Sequence, residues 1–153
     1  MAQAKLFENI DIVSVKLVKE KTGYYGTRNV RNPEELAAVV RRFLKNSDRE
    51  VFLAINLNTQ NGINSIHIVS MGSVDSSLVH PREVFKSAIL SNASSIALAH
   101  CHPSGNLNPS QDDINITEKL IQCGEILGIK VIDHIIIPDN QYTSFREQNI
   151  ATF

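Results

Sequence analysis

An α/β fold with a mixed β-sheet sandwiched by helices is what this chain predicts, and three observations carry the prediction. Apolar runs of strand length, at 51–57 and 95–99, alternate along the chain with stretches whose apolar residues recur at helical spacing. Asn32-Pro33 and Pro109-Ser110 read as helix starts, and Gly128 reads as a helix stop. Asn61-Gly62 is a hairpin signal between two strand-like segments, so antiparallel pairing is expected beside strands joined through helices.

Taken in order, residues 10–18 alternate in part like a strand, and 19–31, rich in Lys, Gly, Tyr and Asn, read as a loop expected near the functional site. Asn32-Pro33-Glu34-Glu35 opens a helix with Leu36, Val39, Val40, Phe43 and Leu44 on one face. Strand 51–57 follows, its odd positions all large and apolar, then a second strand over 63–70. Pro81 opens a helix that turns Val84, Phe85, Ala88 and Ile89 inward. A strand from 95 is expected to run through His102, and the helix after Ser110 to bury Ile114, Thr117, Leu120 and Ile121. Strand 129–137, a Pro138-Asp139-Asn140 turn and a last short strand close the chain.

Composition bounds the class. With 153 residues and 42% hydrophobic content the chain is long enough for a core and is expected to form one domain over 1–153. No apolar run resembles a signal peptide or approaches the roughly eighteen residues of a membrane span, so a cytoplasmic protein without a membrane partner is expected. Residues 1–49 hold ten Lys and Arg against six Asp and Glu, while 50–153 hold five against ten. Arg28, Arg31, Arg41, Arg42, Lys45 and Arg49 leave nucleic acid open as a partner without indicating it. Two cysteines, Cys101 and Cys123, are too few for a disulfide framework and read as buried thiols.

The chemistry concentrates at His100-Cys101-His102-Pro103-Ser104-Gly105 and Pro109-Ser110-Gln111-Asp112-Asp113. Along a strand, His100 and His102 project from one face while Cys101 points away. Pro103 and Gly105 stop the strand, and Ser110 as N-cap places Asp113 at the start of the next helix, returning a carboxylate to the strand end. Two neutral imidazoles and a carboxylate leave a tetrahedral zinc one open position for water, the arrangement of a hydrolytic centre. Taken singly, each piece has a plainer reading. Ser110 and Asp113 satisfy a helix terminus, buried histidines bond to backbone, and Asp112 is an alternative ligand beside Asp113. An apolar strand that delivers two histidines to a loop and a carboxylate to the same end has little purpose without a bound ion. His67, His80 and His134 flank or lie in apolar runs, so each either backs a metal ligand or is an ordinary strand or cap histidine, the second being the plainer reading, and Ser104 reads as loop structure.

The spacing H-x-H, seven residues, S, two residues, D resembles the JAMM (MPN-plus or JAB) metalloprotease superfamily, and the wording H-x-H-P-S-G-N resembles its RadC-like branch. Val79-His80-Pro81-Arg82-Glu83-Val84-Phe85, Asn92-Ala93-Ser94-Ser95-Ile96, Val131-Ile132-Asp133-His134-Ile135 and Tyr142-Thr143-Ser144-Phe145 are similar to that branch too, over residues 30 to 150 or so. Full-length RadC proteins usually carry a helix-hairpin-helix region, expected to be absent here. The resemblance implies a JAMM/MPN-like fold and a zinc-dependent peptidase or isopeptidase, with His100, His102 and Asp113 on the metal. It also implies a glutamate general base at a strand start, which Glu50 matches, and an oxyanion donor, which Ser110 matches. Glu83 and Glu125 are the rival bases, although Glu83 in a first helical turn serves the dipole and Glu125 falls on the wet face of an amphipathic helix. The competing expectation is a DNA-associated or protein-binding module, repair or mobile-element related, that keeps the fold without peptidase activity.

Overall fold

The computed structural model describes residues 9–45, 47–72, 79–102, 104–138 and 140–153; Pro103 and Asp139, assigned above to a strand stop and a turn, lie outside them. Strands β1 (Val51–Leu57), β2 (Ile63–Met71), β3 (Ser95–His100), β4 (Lys130–Ile136) and β5 (Thr143–Ser144) form one sheet in the order β2-β1-β3-β4-β5. β1 runs antiparallel to both neighbours, β3 and β4 are parallel, and β5 returns antiparallel along β4. A parallel pair needs a crossover, and helix α3 (Gln111–Leu127) supplies it. Helices α1 (Pro33–Phe43) and α2 (Pro81–Leu90) complete the elements among the described residues, and no helix among them is long and apolar enough to cross a membrane.

Alternation along the strands sorts the core into two layers. Val51, Leu53, Ile55 and Leu57 pack with Ala97 and Ala99 under Leu36, Ala37 and Val40 of α1. Phe52 and Ala54 pack with Ile96 and Leu98 under Val84, Phe85 and Ala88 of α2 and Leu120 of α3. Every residue of β1 and β3 is buried, as a sheet covered on both faces requires. The chain is therefore an α/β protein with a mixed sheet between helices, as the sequence pattern predicts.

One irregularity matters for the site. The β3–β4 register shifts between Ile96 and Ala97, which changes the parity of β4. Val131 lies in the α2/α3 layer, but past the bulge Ile135 and Ile137 lie in the α1 layer. A one-residue slip exchanges faces, so His134 turns toward α3 instead of α1.

Some expectations are corrected. Residues 10–18 form no strand, and Ile10, Ile12, Val13, Val15 and Val18 are exposed, because alternation makes a strand only where a neighbouring ladder accepts it. Ile89 is exposed and Ser87 is buried in its place, where Asn56 Nδ2 donates to its hydroxyl at 3.0 Å. The buried face of α3 centres on Asp113, Thr117, Leu120 and Gly124, leaving Ile114 and Ile121 half-buried. A side chain at Gly124 would meet the Ile129 carbonyl at 2.5 Å, so the close helix–strand approach needs glycine. β3 ends at His100, two residues early. Residues 28–30 bond to the Asn61-Gly62 turn, at the end of β1 away from His100, whereas Tyr25 packs on Phe43 at the other end of α1.

Candidate metal centre

The site lies at the C-terminal end of the parallel pair β3/β4, where the N-terminus of α3 returns to the sheet. His100 is the last β3 residue, paired across the sheet with Phe52 and Ile136, and its ring stacks on Phe52 at a centroid distance of 5.9 Å. Cys101 faces the α1 layer, its Sγ 3.1 Å from the Arg49 carbonyl, and burial pushes its thiol pKa up, so it is an inert group. His102 lies beyond the ladder yet turns back to the face of His100, bringing the two Nε2 atoms to 2.8 Å. Its other ring nitrogen, Nδ1, bonds to the Asn106 carbonyl at 2.8 Å. The loop is closed by Gly105 N–H donating to the His102 carbonyl at 3.0 Å, with Gly105 at φ +79°, and is tied to β5 by Thr143 Oγ1 donating to the Leu107 carbonyl at 2.8 Å.

Ser110 caps α3 and at the same time fixes the carboxylate. Its N–H and its hydroxyl each donate to Asp113 Oδ2 at 2.7 Å, and Asp113 N–H donates back to Ser110 Oγ at 3.1 Å. Asp113 Oδ1 is thereby left facing His100 Nε2 at 3.3 Å, with Oδ2 at 3.8 Å from His102 Nε2. Helix capping and the presentation of a ligand oxygen thus use one arrangement and do not compete. In this rotamer the Ser110 hydroxyl proton is committed to Asp113.

The donor set fits a divalent metal. Ligand atoms of His100, His102 and Asp113 all lie within 4.8 Å of one another, and a tetrahedral ion with bonds of about 2.0–2.1 Å needs its donors about 3.3–3.4 Å apart. Burial pulls the His100 pKa down to about 4, Asp113 opposing and His102 adding to the effect. His100 is therefore neutral near pH 7, the form in which imidazole binds metals. Two ring nitrogens and a carboxylate turned on one point call for a cation or a proton between them.

Around this point lies a cavity of about 310 Å³ lined by Glu50, Phe52, Val79, His102, Ser110, Asp112, Asp113 and Ile116. Glu50 reaches it because it precedes β1 on the Phe52 face. Glu83 does not line it and pairs with Lys86 at 2.7 Å on the outside of α2, the Lys86 hydrogen bond holding its carboxyl below the usual range. Asp112 lines the cavity but is exposed and outside the ligand cluster. A second cavity of about 780 Å³ shares His102 and is also lined by Arg41, Arg42, Lys45 and Asp48.

His134, which the sequence alone reads most simply as an ordinary strand histidine, backs His100. It is fully buried, its Nε2 lies 2.8 Å from His100 Nδ1, and its Nδ1 lies 2.6 Å from Thr117 Oγ1. Phe145 stacks on it at 4.6 Å and Phe52 meets it edge-on at 5.4 Å. Asp133 accepts the His134 N–H at 2.7 Å and the Ser144 hydroxyl at 2.7 Å, and burial raises its pKa. Two ionisable residues inside an Ile/Val strand were the available signal. His80 serves as the N-cap of α2, its Nδ1 accepting the Arg82 N–H at 3.2 Å.

Comparison with known proteins agrees with this architecture. Residues 30–150 match the model of the RadC-like JAB domain. A UPF0758 protein of Moorella thermoacetica is 49% identical over 121 residues, 79% of this chain and 53% of that protein. One from Clostridioides difficile is 52% identical over 121 residues, 79% of this chain and 52% of that protein. A third, from Methanosarcina acetivorans, is 42% identical over 124 residues, 81% of this chain and 54% of that protein. The chain spans about half the length of these curated relatives. With four-fifths of its length matched and a five-stranded mixed sheet that presents a His-His-Asp cluster, the chain belongs to the RadC-like JAB domain family.

Proposed function

We propose that the chain is a zinc-dependent hydrolase that cleaves peptide or isopeptide bonds. The observation that carries this reading is the convergence of His100, His102 and Asp113 at the edge of a cavity that Glu50 and Ser110 also line. His100, His102 and Asp113 would hold zinc, which supplies a water acidified toward neutrality and a Lewis acid for the carbonyl. Glu50 takes the proton of the attacking water and delivers it to the leaving amine, so one carboxylate serves both proton transfers. Ser110 donates to the oxyanion of the tetrahedral intermediate by turning its hydroxyl away from Asp113 Oδ2, which the Ser110 N–H continues to hold.

The test pairs zinc content with turnover of a peptide and isopeptide panel on the same preparations. Glu50→Gln keeps the shape of the side chain and cannot accept a proton, so activity should fall by roughly 10²–10⁴ with zinc content unchanged. Glu83→Gln should be close to wild type. An active Glu50→Gln beside an inactive Glu83→Gln would reassign the base.

A DNA-associated or protein-binding module is the second reading, and the larger cavity favours it by having Arg41, Arg42 and Lys45 in the lining that it shares with His102. It gains over the hydrolase if DNA binds at physiological salt, weakens steeply as salt rises, and is lost in Arg42→Glu/Lys45→Glu.

A further inference from the structure

Thr117 stands between a group that cannot donate and a group that can do either. Its Oγ1 is 2.5 Å from the Asp113 carbonyl oxygen and 2.6 Å from His134 Nδ1. A carbonyl has no proton to give, so the threonine hydroxyl donates to it and accepts the Nδ1–H of His134. A neutral imidazole carries one N–H, so His134 Nε2 is a lone pair. That lone pair lies 2.8 Å from His100 Nδ1, which must then hold the proton. At the far end His100 Nε2 is then a lone pair aimed at His102 and Asp113, and the point between the three takes a cation or, without one, a proton that His100 does not supply.

We propose that Thr117 and His134 are positioning residues whose hydrogen-bond order locks His100 as the Nδ1–H tautomer, presenting Nε2 as a ready metal ligand before any metal arrives. The proposal rests on the metal-centre reading given above. All three side chains are buried, so water cannot replace a missing link, and Phe145 and Phe52 hold the His134 ring against turning over. Asp113 belongs to the same order twice, through its carboxylate as a ligand oxygen and through its carbonyl as the anchor of Thr117. The first turn of α3 therefore sets both donors. Without Thr117 Oγ1 the satisfied order is the reverse one: His134 Nε2–H donates to His100 Nδ1, and His100 Nε2–H donates to Asp113. That order occupies the nitrogen the metal needs.

Long-range nitrogen–proton NMR of the zinc-free protein reads each ring nitrogen directly. In the wild type, His100 and His134 should both be protonated at Nδ1 and unprotonated at Nε2. Thr117→Val, nearly isosteric, should move both protons to Nε2 and weaken zinc binding, measured by chelator competition, about 10- to 100-fold, the usual range for a lost outer-shell partner. Thr117→Ser should restore tautomer and affinity together. A wild-type spectrum with His100 protonated at Nε2 overturns the proposal even if Thr117→Val does not fold. So does a Thr117→Val protein with unchanged tautomers and unchanged affinity. If wild type binds no zinc, the hydrolase reading fails, while the spectrum still decides the tautomer order.

Discussion

The two halves of the site hold the same kind of atom toward the same point by opposite means. His100 is enclosed at a strand end, stacked on Phe52 and bonded through buried His134 and Thr117. His102 is only partly buried and is oriented by one loop carbonyl, that of Asn106, on a segment closed by Gly105. In the first half the fold itself orders the imidazole, so the entropy of fixing the ring is met during folding. In the second half a surface loop supplies the order instead.

This contrast makes its largest prediction for the two histidines separately. His100→Ala and His102→Ala should each reduce bound zinc from about one per chain to a small fraction, because two remaining ligands cannot maintain the site. Their stabilities should part: His100→Ala empties a core position and should cost the zinc-free protein about 2–4 kcal/mol, His102→Ala less than about 1 kcal/mol. Elemental analysis and denaturant titration of zinc-free protein check both. Equal destabilisation would erase the difference between the halves.

A smaller effect follows from protonation. His100 is pulled down to about 4 by burial, and His134 well below its ordinary value for the same reason, with His100 and His102 adding to it. Between the ordinary 6.5 and those lowered values the unfolded chain binds protons that the folded chain refuses. Stability is therefore complete above about pH 6.5 and is lost as pH falls toward 4, by roughly 2–3 kcal/mol for His100. Melting of zinc-free protein between pH 7 and 4 should show this slope in wild type and His102→Ala and a shallower one in His100→Ala. A slope shared equally by all three would place the acid sensitivity elsewhere.

How much of this was legible in the sequence depended on whether a signal was local. The α1, α2 and α3 starts at Asn32-Pro33, Pro81 and Ser110, the β1–β2 turn at Asn61-Gly62 and the stop at Gly128 are written in caps and turns, and all appear where the residues place them. The grouping of His100, His102 and Asp113 was legible from spacing, and so was the placement of Glu50 on the Phe52 face from the two-residue period of β1. His134 was not, because its direction depends on a bulge in the β3–β4 register that no local pattern announces. The sequence marks Ser110 as a helix cap, and its contacts make it also the brace of Asp113. Residues 10–18 misled for the converse reason: alternation is present, and they pair with no strand among the described residues.

Anomalous scattering at the zinc edge, from crystals of protein loaded with one equivalent of zinc, tests the central claim most directly. A single peak should lie about 2.0–2.2 Å from His100 Nε2, His102 Nε2 and an Asp113 carboxylate oxygen, with its fourth position open to the cavity that Glu50 lines. A peak bound through other residues, or full zinc loading with no peak among these three, would contradict it.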